Sequence, residues 1–175
     1  DRSSALPKAN NSYFYPSISG TVIFSELIDS DFFGFGKLRA GYAETGNDTG
    51  PYNVFSSYNL LDPFSGNGLA SNSATFNNPD LKAERTKEIE IGVEANMLSN
   101  RLSLDLSYYK RTTEDLLTPV NVSNATGINS KYLNAGSIEN KGIELVLGLK
   151  AIKTQDLRWD ITYVYSKNEN TVLSL

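Results

Sequence analysis

The chain has 175 residues with no cysteine and no histidine, and 16 Lys+Arg against 20 Asp+Glu give it a formal charge of −4. Those counts exclude disulfides, thiolate or imidazole metal sites, and any catalytic dyad or triad built on Cys or His. The acidic balance, without a Lys/Arg cluster, argues for no nucleic-acid partner, because phosphate binding needs a basic patch. No run approaches the ~18 apolar residues of a membrane helix, but a membrane barrel needs only about 10 residues of alternating pattern per strand.

The polar start of the chain ends in Tyr13-Phe14-Tyr15-Pro16. Residues Ser17 to Glu26 then read as a strand with Ile18, Val22 and Phe24 on one face. A connection from 27 to 36 carries a short helical turn around Glu26 to Asp29, and Lys37 to Thr45 is the second strand, with Leu38, Ala40 and Tyr42 sharing a side. Residues 46–85 are rich in Asn, Ser and Gly and hold Pro51, Pro63 and Pro79, which predicts a long loop with short strands in it. Loops of that length in an ordered domain tend to be functional. Tyr52, Phe55, Tyr58 and Phe64, with Phe76, lie there among amide and hydroxyl side chains. Rings beside polar groups suit an oligosaccharide or peptide ligand, so these four are candidate ligand contacts. The alternative is that they pack the loop onto itself or onto a partner.

The clearest pattern follows. From Lys87 to Met97 the chain alternates without a break, with Ile89, Ile91, Val93, Ala95 and Met97 on one side and Glu88, Glu90, Gly92, Glu94 and Asn96 on the other. After Ser99-Asn100 the alternation resumes with Leu102, Leu104, Leu106 and Tyr108 against Ser103, Asp105, Ser107 and Tyr109. Two such runs joined by two polar residues predict a β-hairpin. A two-residue turn sets Leu98 against Arg101 and fixes every later pair, Met97 with Leu102 through Ile91 with Tyr108 on the apolar face, and Asn96 with Ser103, Glu94 with Asp105 and Glu88 with Arg111 on the polar one. A slip of one residue would scramble both faces. Glu94 opposite Asp105 is tolerable only beside water. Glu88, Glu90, Glu94 and Asp105 therefore read as residues of a solvated face, either lumen-facing in a large barrel, as a lining for solute or a contact to a plug, or on the wet side of a soluble sheet, and not as a shielded acid–base pair with separated pKa values.

A second long connection, 112–139, contains the turn-prone Asn124-Ala125-Thr126-Gly127. The fifth and sixth strands are Asn140 to Ile152 and Trp159 to Lys167. A five-residue loop closed by Ile152 and Arg158 sets Leu149 against Ile161, Leu147 against Tyr163, Leu145 against Tyr165 and Lys150 against Asp160. Val146 facing Val164 departs from the polar pattern and predicts a partly dry patch. Tyr108 and Trp159 are candidates for an interfacial aromatic girdle. Long and short connections alternate along the chain, the asymmetry of an outer-membrane barrel.

Asn78-Pro79-Asp80-Leu81-Lys82-Ala83-Glu84-Arg85-Thr86, then Asn100-Arg101-Leu102, Tyr108-Tyr109, Asp115-Leu116-Leu117 and Asn140-Lys141-Gly142-Ile143-Glu144-Leu145 follow in order. Upstream stand Tyr15-Pro16-Ser17-Ile18-Ser19 and Leu38-Arg39-Ala40-Gly41-Tyr42-Ala43-Glu44-Thr45-Gly46-Asn47. The ordered series resembles the C-terminal barrel region of the SusC/RagA family of TonB-linked outer-membrane transporters. Six strands are too few to close a membrane barrel, so the expectation is an all-β chain of antiparallel up-and-down strands forming part of a transmembrane barrel wall over residues 1–175, with the plug domain absent.

The resemblance further implies a bacterial outer membrane of the Gram-negative, Bacteroidota-like kind, contact with its lipid, and import of oligosaccharides or peptides. It also implies a SusD-like surface lipoprotein as partner, the TonB complex reached through the missing N-terminal part, no cofactor and no enzymatic activity. The competing expectation is a soluble β-sandwich acting as a glycan-binding module, and the Glu-rich face alone would suit a glycoside hydrolase.

Overall fold

A run that alternates apolar and polar residues satisfies its backbone only by pairing with another such run, and this chain supplies six of them. In the computed structural model, which describes residues 1–28 and 32–175, the strands are β1 (Ser17–Ile23), β2 (Phe33–Asn47), β3 (Tyr58–Phe64), β4 (Asn67–Asn72), β5 (Thr75–Phe76), β6 (Glu84–Met97), β7 (Leu102–Glu114), β8 (Leu117–Asn121), β9 (Ser130–Asn134), β10 (Ser137–Lys153) and β11 (Arg158–Ser174). Among the described residues there is no α-helix. The six long strands form one antiparallel sheet in the order β1-β2-β6-β7-β10-β11, open at β1 and β11.

The central hairpin has the predicted register throughout, from Met97 opposite Leu102 to Glu88 opposite Arg111. Its turn is closed by Arg101 N donating to Leu98 O at 3.1 Å, and Leu98, Ser99 and Asn100 all take positive φ, 54°, 53° and 63°. Two central residues with positive φ give the turn whose twist matches the flanking strands, and Asn tolerates that conformation best.

Four expectations need correction. Phe24 does not continue β1; it opens a single 3₁₀ turn, Phe24–Glu26, and its ring lies against Gly36. That turn stands earlier than the one expected around Glu26, and Asp29 lies outside the described residues. β2 starts at Phe33, because the Phe33-Gly34-Phe35-Gly36 stretch pairs with Met97, Asn96 and Ala95 across a register shift. The last hairpin closes on Lys153 and Arg158, with Ile152 opposite Trp159. A bulge between Lys150 and Ile152 leaves the four residues 154–157 as the loop. β11 runs on from Lys167 to Ser174 although Asn168, Glu169 and Asn170 are weak strand formers, since β10 offers partners from Ser137 to Ile143.

The apolar face of the sheet is covered by nothing among the described residues. Ile89, Ile91 and Tyr163 keep 47%, 49% and 54% of their surface, and Ala95 is the only apolar residue of the six strands that is fully buried among the described residues. A soluble sandwich would bury that face against a second sheet, so the sandwich is not the architecture. Along β10 the outward apolar run from Ile143 to Ile152 covers about 30 Å of strand. At the usual tilt this is close to the ~25 Å apolar band of an outer-membrane barrel.

The core sits elsewhere, at the end of the sheet where both long connections emerge. Leu6, Val54 and Leu81 are buried together, with Tyr13, Ala83, Leu117 and Tyr132 packed against them. Within this cap β5 runs parallel to β9, and β9 pairs with β8, so one three-stranded sheet ties the two long connections together.

Candidate functional site

The register puts every even-numbered residue of β6 on the face opposite the apolar one, and brings the four predicted carboxylates, Glu88, Glu90, Glu94 and Asp105, onto it together. None of them faces another acid without compensation. Lys37 on β2 lies opposite Glu94 and meets it at 2.5 Å, and Arg111 Nη2 meets Glu88 Oε2 at 2.8 Å. Arg39 reaches three groups: its Nε lies 3.6 Å from Glu90 Oε1, and its Nη2 donates to Asp105 Oδ1 at 3.0 Å and to Ser107 Oγ at 2.6 Å.

Arg39 can span two strands because Gly92 stands between Arg39 and Ser107 in the register. A Cβ on residue 92 would lie 2.5 Å from Arg39 Nε and 2.6 Å from its Cζ. Lys37 and Arg39 were missed as partners in the sequence reading, which registered β6 against β7 but not against β2. The signal was present in Lys37-Leu38-Arg39, two cations flanking one outward leucine.

Toward β10 and β11 the same face carries fewer charges, with Gly142, Gly148, Thr162 and Ser166 set around Glu144, Lys150 and Asp160. Lys150 stands opposite Asp160 as predicted, but the carboxylate pairs with Arg158 at 2.6 Å instead, because both those side chains lie on one strand two residues apart. Val146 and Val164 do face each other, yet both are exposed and the expected dry patch is not formed by the described residues.

The cap carries the predicted aromatic residues. Asn77 Nδ2 donates to Tyr52 O at 3.1 Å and to Phe55 O at 2.6 Å, which fixes the turn that presents both rings. Tyr58 and Phe64 lie on the β3–β4 hairpin, which pairs with no other strand of the described residues. All four rings are about 70% exposed or more, apart from Phe55 at 67%. They are not gathered into this one cavity: Tyr58 lines a space of about 220 Å³ with Asn72, Thr75, Phe76 and Ile128, and Tyr52, Phe55 and Phe64 do not line it.

The Asn78 to Thr86 stretch is the anchor between cap and wall. Asn78 Oδ1 accepts from Asp80 N at 3.0 Å, a turn that drives Leu81 into the core with no exposed surface. Asn134 clips the next residue, accepting from Lys82 N and donating to Lys82 O, each at 2.8 Å. Glu84 accepts from Leu117 N at 2.8 Å and from Asn47 Nδ2 at 2.9 Å, and Arg85 pairs with Glu44. Beside this anchor, burial raises the pKa of the Tyr15 phenol, with Tyr13 and Asp48 adding to the effect.

An open antiparallel sheet with one uncovered apolar face, one wet ion-paired face and all its long connections at one end defines a segment of transmembrane β-barrel wall. The family described as TonB dependent receptor-like, beta-barrel matches residues 1–173, and the chain belongs to it. TonB-dependent receptor P26 of Formosa agariphila is 35% identical over the whole of this chain and 18% of its own length. TonB-dependent receptor SusC of Bacteroides thetaiotaomicron is 30% identical, again over all of this chain and 18% of that protein. The solved structure of the RagAB peptide transporter superposes with a TM-score of 0.89 at 28% identity, over 99% of this chain and 20% of that one. The chain thus spans about a fifth of the length of the relatives it matches. Those relatives are named as receptors and transporters, not as enzymes.

Proposed function

We propose that these residues form part of the wall of a SusC-like, TonB-dependent nutrient importer in the outer membrane of a Gram-negative bacterium of the Bacteroidota kind. The observation that carries this reading is the division of the sheet into an uncovered apolar face and an ion-paired polar face, with the cap at one end only. The apolar face meets lipid. Glu88, Glu90, Glu94 and Asp105 line the lumen, and fixed ion pairs there let a polar solute pass without meeting a single-sign trap. Tyr52, Phe55, Tyr58 and Phe64 face the outside, where an oligosaccharide or peptide ligand and a SusD-like lipoprotein would meet them. The energy source is the TonB complex, which acts on parts of the full-length protein other than this wall, including a plug.

The test uses the absence of cysteine in this segment. Single cysteines are placed in the full-length transporter at residues 89, 90, 91, 93 and 94 and exposed, in intact outer membranes, to a water-soluble maleimide. Residues 90 and 94 label and residues 89, 91 and 93 are protected. Uniform labelling of all five positions would remove the barrel-wall reading. Loss of nutrient uptake on deleting TonB or the SusD-like partner tests the transport part separately.

A further inference from the structure

The outward face does not end in apolar residues at the cap side; it ends in charge. Residues of the same parity as Ile89, Tyr108, Ile143 and Tyr165, one to three steps further toward the cap, are Glu44, Arg85, Lys87, Lys110, Glu114, Glu139, Lys141, Lys167 and Glu169. Each two-residue step is about 7 Å, so this row stands just above the apolar band, at headgroup depth in the outer leaflet.

The row has two parts with different balance. On β2, β6 and β7, Arg85 pairs with Glu44, and Lys87 with Glu114 at 2.7 Å, two cations against two anions. On β7, β10 and β11, Lys110, Lys141 and Lys167 share only Glu139 and Glu169. Lys110 meets Glu139 at 2.9 Å, Lys141 lies 3.9 Å from Glu139 and 3.6 Å from Glu169, and Lys167 meets Glu169 at 2.7 Å. Lys110 and Lys141 are direct cross-strand partners, a like-charge pair that a sheet ordinarily avoids. The three lysine side chains keep 41% to 60% of their surface. Each has three donors, so the carboxylates leave hydrogens free to face outward.

We propose that Lys110, Lys141 and Lys167 form a site on the outside of the wall for the phosphate of an anionic glycolipid of the outer leaflet. The inference rests on the barrel-wall reading, which sets the depth and the side. A surplus of one positive charge at headgroup depth, directly above an apolar face that seats acyl chains, matches a ligand with a phosphate at one end and hydrocarbon at the other. Lysine suits it, because ammonium groups bind phosphate as point charges and need no fixed fork geometry.

The experiment compares full-length transporter in phospholipid nanodiscs with added diphosphoryl lipid A, its dephosphorylated form, or inorganic phosphate, and reads lipid retained by native mass spectrometry. Wild type retains diphosphoryl lipid A over the dephosphorylated form by a factor on the order of ten or more. The K110Q/K141Q/K167Q variant loses that preference, the corresponding triple arginine variant keeps it, and Lys150→Gln on the lumen face leaves it unchanged. Equal retention of the two lipids by wild type, an undiminished preference in the glutamine variant, or displacement by millimolar inorganic phosphate would each overturn the lipid site while leaving the wall intact. Failure of wild type to insert at all, seen as no heat-modifiable band, would overturn the wall reading and the site with it.

Discussion

Arg39 crosses the polar face of β6 above Gly92 and donates to Asp105 on β7 at 3.0 Å. This contact makes the Glu94–Asp105 pair tolerable: each acid has its own cation from β2, Lys37 for one and Arg39 for the other. The wet face is thus an ordered network and not merely a solvated one.

The first prediction concerns the missing side chain. Gly92→Val pushes the guanidinium aside and costs about 1–3 kcal/mol in stability, the range for overpacking a tight site. The temperature at which the full-length protein loses its heat-modifiable form falls accordingly. The loss is smaller when Arg39 is already replaced by Gln, because the displaced group is then gone. Equal losses in both backgrounds would show that Gly92 serves some other purpose.

Removing the cation is a separate case. Arg39→Met leaves Glu90 and Asp105 without their partner, whereas Asp105→Asn leaves Arg39 with Glu90. Both groups are a quarter to a half exposed, so the Arg39–Asp105 coupling itself is worth no more than about 1 kcal/mol. A double-mutant cycle in urea measures it. Arg39→Met is expected to be the costlier single change, and high salt narrows the gap between the two.

Leu81 is the third test. It is fully buried where three separate segments meet, and Leu81→Ala costs about 2–5 kcal/mol by lost burial and the cavity left behind. That loss falls on the cap. Limited proteolysis cuts residues 48–83 and 115–136 faster, while hydrogen exchange in β6 and β7 stays at its wild-type level. Faster exchange across both regions would mean that cap and wall unfold together.

The wall was legible in the sequence because its residues alternate and because a two-residue turn fixes a whole hairpin. Every pair expected between β6 and β7 is found. What could not be read lies where partners far apart in the chain decide. Leu81 looked like one residue of a recognisable string, and only its contact with Leu6 and Val54, at distant positions, reveals it as the centre of the cap. Sequence alone ends β11 at Lys167, because Asn168, Glu169 and Asn170 favour other conformations, and the pairing with β10 overrides that preference. Of the candidate site, the face shared by the four carboxylates followed from parity alone. Their cations did not, since β2 joins β6 only across a loop of 36 residues, 48–83.

The last prediction separates ligand contact from loop packing for the exposed rings. Tyr58 and Phe64 sit on a hairpin that leans on no other strand among the described residues, so truncating them removes little folded-state packing. Tyr58→Ala with Phe64→Ala therefore leaves the heat-modifiable transition of the full-length protein within about 0.5 kcal/mol of wild type. If the rings contact the nutrient or the lipoprotein lid, uptake falls while the barrel is unchanged, and each central ring accounts for about 1–2 kcal/mol of binding. If instead they pack the loop, the transition drops and uptake follows it. Measuring both quantities on the same membranes distinguishes the two roles, because only a contact role lowers uptake at constant stability.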